Sequence, residues 1–360
     1  MTQNSTTIQS ADTGDYLKVA ACTAVIMQSV LAVALKQPLP TKFEWLIGLT
    51  YNFVKFTAPA FIFGILYTTT RTTFPSTLKA YPAYLQQQWS ALFVPTIFWT
   101  LVYLLGLPGQ QQGRPFNSWL TFGWQAINGN AAPHLWYNTM MLQFILLMPL
   151  FWGLARWLKR RPKLVLLILS SLFAAWVIFY DRFVWHGPLQ RSWYLLDRVW
   201  LSFGLYAGFG TAAAVFPTTY RDLLRRYRWG LLLAWGVAFS WTAIQLFSAG
   251  LPVRFSNAPY VQPSMVLYAL ATIGLISWFA AHQITRHARS LHWIHWLATY
   301  AYRAYLGNVC WLQLVWRFSR HWLTAAPIAV TLLSYALTWV LAFAGAVGLH
   351  HLKRRLLQSK

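Results

Sequence analysis

Ten long apolar runs set the pattern of this chain: Tyr16–Leu35, Trp45–Thr68, Trp89–Leu107, Trp136–Leu154, Leu164–Tyr180, Val199–Phe216, Trp229–Ala249, Ser264–His282, Trp296–Trp316 and Ala325–Leu349. A helix of about 20 apolar residues crosses the hydrocarbon core of a bilayer. Lipid satisfies no backbone polar group, so only helices and closed barrels cross it. The runs predict an all-α fold, a polytopic bundle of about ten transmembrane helices. No internal repeat and no long linker divides it. The expected organisation is a tail over residues 1–15, one transmembrane domain over 16–349 and a basic tail over 350–360.

Composition agrees with the pattern. Of 360 residues, 57% are hydrophobic and only 10% are charged, against roughly 25% charged in a soluble domain. The net charge of +23 would suit nucleic acid in a soluble protein. Here it fits better with Lys and Arg that fix topology and touch anionic membrane lipid. Placing the N-terminus in the cytoplasm puts seventeen of the 29 Lys and Arg in cytoplasmic segments and nine outside. The bias predicts both termini inside a plasma membrane. Asp12 and Asp15 precede the first run without a positively charged stretch, which predicts no cleavable signal. Cys22 and Cys310 lie in apolar runs and read as packing residues.

Candidate chemistry lies where polar residues interrupt the runs. These are Gln28 and Ser29, Asn52 and Lys55, Asn138 and Gln143, Gln245, and Arg303, Asn308 and Gln313. Each alone reads as an interhelical hydrogen bond worth about 0.6–2 kcal/mol. Lys55 and Arg303 sit several residues inside their runs, where a charge is costly, and together the set predicts a polar cavity. No Asp or Glu is evident within the runs, which argues against a proton-coupled carrier. His287, His292 and His295 lie beside Arg286 and Arg289 with no carboxylate or thiol near. They read as a basic loop, and no metal site is expected. The loops expected outside are rich in aromatic and amide groups. Loop Pro108–Pro133 holds Arg114, and loop Asp181–Arg198 holds Trp185, His186, Gln190, Arg191 and Trp193. Such groups suit sugar rings, and equally suit the interfacial belt of a membrane protein.

Four stretches, in order, are similar to those of the membrane acyltransferase-3 family, including relatives associated with intercellular adhesin polysaccharides. Asp15-Tyr-Leu-Lys18 with Ala21 and Val25 resembles the family's opening D-x-L-R-x-x-A-x-x-x-V. Phe56-Thr-Ala-Pro-Ala-Phe-Ile-Phe-Gly64 resembles its second apolar motif. Pro95-Thr-Ile-Phe-Trp99-Thr-Leu-Val-Tyr103 resembles its P-x-x-x-W-x-x-x-Y. His134-Leu-Trp-Tyr followed by Pro149 resembles its HLWF signature and closing proline. A weaker likeness is Tyr305-Leu-Gly-Asn308 to its late Y-L-x-H. The resemblance implies transfer of an acyl group, acetyl above all, from cytosolic acyl-CoA to a hydroxyl of an extracytoplasmic glycan or envelope polymer. It implies no tightly bound cofactor, with acetyl-CoA as co-substrate. It also implies a first-span His as base or acyl carrier and arginines holding the CoA phosphates.

This chain departs from that pattern at the chemical positions. Counted from Asp15, the first-span His falls at Ser29, beside Gln28. Counted back from Pro95, the arginines fall at Gln88 and Ala91, with Lys79 the nearest cation, and the late His falls at Asn308. Gln, Ser and Asn form hydrogen bonds but take up no proton near neutral pH. His134 is then the chief candidate for the catalytic role, with Ser29 and Gln28 at the family position. Gln88 and Lys79 are the candidates for the donor phosphates. Trp136, Asn138, Lys55, Arg303, Tyr305 and Asn308 are the candidates for the cavity, and His186 is a second histidine to consider. Two readings follow: an acyltransferase with a rearranged site, or a non-catalytic relative acting in glycan export or assembly. A carrier of another class is a third.

Overall fold

A computed structural model describes residues 11–189, 194–248 and 250–358. Of the loop residues singled out above, Gln190, Arg191 and Trp193 lie outside the described residues. The described chain is helical, with fifteen α-helices and no strand. They are α1 (Thr13–Ala34), α2 (Thr41–Phe53), α3 (Thr57–Thr73), α4 (Tyr81–Gln88), α5 (Val94–Leu101), α6 (Trp119–Ile127), α7 (Trp136–Leu146) and α8 (Met148–Arg160). They continue as α9 (Pro162–Phe179), α10 (Gly204–Val215), α11 (Pro217–Arg226), α12 (Arg228–Ser248), α13 (Pro263–Thr285), α14 (Ser290–Ser319) and α15 (Pro327–Gln358).

Seven of the ten expected spans are long and apolar enough to cross a membrane, and an eighth if α7 and α8 count as one. The other two expected runs differ for identifiable reasons. Residues Val199–Phe216 give only a shorter apolar helix over Trp200–Val215. Residues Trp296–Trp316 lie in the 30-residue α14, whose Arg303, Asn308 and Gln313 lower its hydropathy. The expected single run Trp136–Leu154 is bent by 60° between α7 and α8. Pro149 lies at the start of α8. It has no N–H for the carbonyl of Ile145, and its ring would clash there in a straight helix. Helix α15 runs on through the expected basic tail as far as Gln358.

The centre of the bundle is α1, α3, α10, α13 and α14, with α15 packed along α14 and α12 along α13. The start of α1 is fixed twice. Asp12 caps it, its Oδ1 accepting from the Asp15 N–H at 2.8 Å, and its Oδ2 pairs with Arg71 at 2.6 Å. Asp15 in turn meets Lys18 at 3.5 Å and His295 at 2.8 Å. His295, expected in a basic loop, thus sits on α14 and ties it to α1.

Most of the polar residues within the runs form hydrogen bonds between elements. Asn52 donates to the Thr242 hydroxyl, and Gln313 donates to Gln110. Ser264 donates to Gln245. Gln143 bonds to the backbone of Arg198 and Trp200. Cys22 is buried and its thiol donates to the Ala301 carbonyl. In α6, Trp119, Leu120, Trp124 and Ile127 are exposed, as befits a segment of the membrane interface.

One break shapes the interior of the bundle. Between α2 and α3 the helix opens over residues 54–56, and Lys55 sits in the opening. Pro59, four residues on, has no N–H for the Lys55 carbonyl and forces the break. The carbonyls it frees find side-chain donors: Tyr268 donates to Phe53, and Gln28 donates to Val54 at 3.1 Å. Broken helices at membrane depth occur where they are buried in protein or line a cavity.

Candidate active site

The break at Lys55 lines a cavity of about 470 Å³, within the roughly 300–1,000 Å³ range of small-ligand pockets. Its walls come from seven places along the sequence. From α1 come Gln28 and Ser29; from the α2–α3 break come Tyr51, Lys55, Thr57 and Phe61. His134 and Trp136 come from the entry to α7, Tyr180 and Trp185 from the helical turn that follows α9, Asp197 and Tyr260 from two loops, and Tyr305 from α14.

His134 is held at the crossing of three of the sequence stretches. It is 7% exposed, and its ring lies edge-on to those of Tyr103 and Tyr305. Its Nε2 is 3.1 Å from the Leu306 carbonyl. A carbonyl only accepts, so Nε2 carries the proton and Nδ1 keeps its lone pair. That Nδ1 is buried and has no partner. Burial lowers its pKa from 6.5 to about 4, against the opposing effect of the Leu306 bond. The ring is therefore neutral at pH 7, with one nitrogen anchored and the other keeping an unshared lone pair.

The anchor is itself organised. The Tyr103 hydroxyl donates to the same Leu306 carbonyl at 2.9 Å and accepts from the Cys310 N–H at 3.1 Å. It thus bridges two groups four residues apart on α14, which bond each other in a regular helix. Gly307 permits this approach: a Cβ there would lie 2.7 Å from the Trp99 ring. The Tyr305 hydroxyl closes the circle by donating to the His134 carbonyl. Tyr103 is not among the residues expected at the site, although it ends one of the four ordered stretches of the sequence.

Ser29 and Asn308 lie together. The Ser29 hydroxyl is 3.0 Å from Asn308 Oδ1 and 3.0 Å from the Val25 carbonyl. Ser29 reaches the cavity; Asn308 is buried behind it and donates to the Tyr305 carbonyl. Gln28 is engaged as a brace, donating to Val54 and accepting from Thr57, which also meets the Tyr260 hydroxyl at 2.9 Å. Trp136, Lys55 and Tyr305 line the cavity.

Four other expected residues are placed elsewhere, and so is the second histidine. Arg303 reaches away from the cavity and donates to His350 of α15 at 2.8 Å. Asn138 is buried on α7 with neither amide atom bonded and is not part of the cavity wall. Lys79 is exposed in the turn before the short α4 and Gln88 half-buried at its end, neither of them in the cavity. His186 is exposed and pairs with Asp181 at 3.2 Å.

Asp197 is a cavity residue that the sequence pattern does not single out. It arrives from a loop rather than from an apolar run. Its Oδ1 faces Arg198 Nε only distantly, at 3.8 Å. Enclosure by the cavity raises its carboxyl pKa from 3.8 to about 6, against the opposing charges of Arg198 and Lys55.

Arg198 itself clamps two loops together. Its guanidinium donates to the Asn128 carbonyl at 2.7 Å, to Asn130 Oδ1 at 2.5 Å and to Gln112 Oε1 at 3.2 Å. Hydrogen bonds to a charged group contribute about 1.5–3 kcal/mol each. Arg198→Ala is expected to free the segment over residues 108–133. Limited proteolysis should then cut that segment at least tenfold faster; wild-type resistance would show that Arg198 does not hold it.

A family model described as an acyltransferase domain, Acyl_transf_3, matches residues 14–349. No curated protein and no solved structure matches the chain.

Proposed function

The chain belongs to the acyltransferase-3 family, and on that premise we propose that it transfers an acyl group, acetyl above all, from acyl-CoA to a hydroxyl of an extracytoplasmic glycan or envelope polymer. The observation that carries this reading is His134. It has one ring nitrogen fixed by a backbone carbonyl and the other buried without a partner, at the wall of a cavity lined by aromatic and polar groups. In this reading the cavity holds the acceptor. Nδ1 takes the proton of the acceptor hydroxyl as its oxygen bonds to the thioester carbonyl carbon. The C–S bond breaks, and the departing thiolate recovers the proton from the imidazolium. Removing a positioned base of this kind typically costs 10²–10⁴ in rate. The donor comes from the cytoplasmic side of the plasma membrane, the side given by the Lys and Arg bias.

The Ser29–Asn308 hydrogen bond favours a second reading, a non-catalytic relative acting in glycan export or assembly. There a neutral pair stands where the resemblance places a base and a second histidine. The two readings separate on purified protein given acetyl-CoA and candidate glycans. Time-dependent release of free CoA thiol with labelled glycan is expected. Complete absence of thiol release across acceptors, with the protein folded, would favour the second reading.

A further inference from the structure

The acyl-transfer step at His134 leaves two charged cavity residues, Lys55 and Asp197, without a role. Lys55 is 5% exposed and lies in the break between two apolar helices, where a cation is costly. Among the described residues its ammonium has one hydrogen-bond acceptor, the Phe255 carbonyl at 3.2 Å, for three N–H donors. It also lies 5.5 Å from the centre of the Tyr51 ring and 5.3 Å from that of Tyr260. Such rings stabilise a cation but accept no regular hydrogen bond from it.

Asp197 lines the same cavity but makes no ion pair with Lys55, its carboxylate being paired with Arg198 instead. Two opposite charges thus line one cavity without a direct ion pair between them. A buried cation with free donors in a cavity wall is completed by an anion. One cation with a carboxylate in the same cavity wall suits a singly charged anion better than a phosphate dianion, which tight sites meet with several Arg or Lys. The surrounding Trp136, Trp185, Tyr180 and Tyr260 offer faces for a sugar ring, and Asp197 accepts from hydroxyls.

We infer that Lys55 is a specificity residue for a carboxylate-bearing sugar, so that the acceptor glycan contains a uronic acid or a comparable acidic unit seated between Lys55 and Asp197. This rests on the cavity being the acceptor site. It is tested by binding alone, without acyl donor, so its failure leaves the acyl-transfer test untouched. The probes are a glucuronate-terminated disaccharide, its glucose-terminated counterpart and glucose 6-phosphate. Titrations are read by tryptophan fluorescence, since Trp136 and Trp185 line the cavity, and by calorimetry.

Wild type is expected to prefer the glucuronate over the neutral sugar by on the order of tenfold or more. Lys55→Met should lose that preference while binding the neutral sugar as wild type does, which shows the cavity intact. Lys55→Arg should keep the preference, because guanidinium retains the charge yet cannot give up a proton. Equal binding of the two disaccharides by wild type, no binding of either, tighter binding of the phosphate, or a preference that survives in Lys55→Met would each overturn the inference. Loss of the preference in Lys55→Arg would overturn it in favour of a Lys55 that acts by losing a proton.

Discussion

His134→Gln is expected to lower thiol release from acetyl-CoA by on the order of 10²–10⁴, with the protein still folded in detergent. Gln can donate its amide N–H to the Leu306 carbonyl, as His134 Nε2 does, but it offers no basic nitrogen. The loss would therefore report chemistry more than packing. The pH dependence supplies a second readout. With its pKa held at about 4, His134 is in its basic form throughout neutrality. The wild-type rate should rise with pH through about 4 and show no His134 inflection near 6.5. Stability moves the same way. Below pH 6.5 the unfolded chain takes up a proton that folded His134 accepts only near 4, so the unfolded state binds more protons and stability rises with pH across that window. At about 1.4 kcal/mol per pH unit, the expected loss on acidification from neutrality to pH 4 is ~3 kcal/mol. His134→Gln should show a correspondingly shallower fall in thermal midpoint over that window. Unchanged turnover in His134→Gln would remove this residue from the mechanism, whatever the stability curve shows.

The hydropathy pattern identifies seven helices long and apolar enough to cross a membrane, because apolar surface is a property of single segments. It does not identify the bend at Leu147 or the opening at Lys55, since both depend on how a proline meets the turn before it. Lys55, Trp136, Tyr305 and His134 are legible as site candidates because each is either a polar interruption or part of an ordered motif. Arg303 has the same signature as Lys55, a cation inside an apolar run, yet it meets His350 of the last helix. Only tertiary packing separates the two cases. Asp197 is hidden for the opposite reason: in a loop an acid is unremarkable until the loop folds over a cavity. Arg198 looks like one of several outer-loop cations, and its clamp on Gln112, Asn128 and Asn130 links positions 68–86 residues away. The Ser29–Asn308 pair spans 279 residues. Each departure taken separately looks like lost chemistry; together they form a hydrogen bond that neither position predicts alone.

Gly210→Ala is expected to disrupt the assembly of the bundle, whereas Gly208→Ala, two residues earlier on α10, should be tolerated. Without a hydrophobic drive between helices in lipid, close packing of small residues holds helices together. α10 supplies Gly204, Ala207, Gly208, Gly210 and Ala212 to Ala214. A Cβ at Gly210 would lie 2.5 Å from the Phe63 carbonyl oxygen and 3.2 Å from two further backbone atoms of Phe63. Backbone cannot rotate away, so α3 itself would have to move. The three atoms nearest a Cβ at Gly208 all belong to the Leu169 side chain, whose terminal carbons can change rotamer. Overpacking costs typically 1–3 kcal/mol and occasionally more, so Gly210→Ala should fall at or above the upper end and Gly208→Ala below about 1 kcal/mol. Thermal midpoints of the two variants in the same detergent make the comparison, and a Gly210→Ala midpoint equal to wild type would disprove the α3–α10 backbone contact. The effect should extend to the site, because Phe63 is two residues from Phe61 in the cavity wall and α3 begins at the break that holds Lys55. Displacing α3 moves Thr57 and Phe61 relative to Gln28 and Tyr305, which belong to α1 and α14. Ligand binding in Gly210→Ala should therefore weaken for acidic and neutral sugars alike, a pattern distinct from the charge-selective loss expected of Lys55→Met.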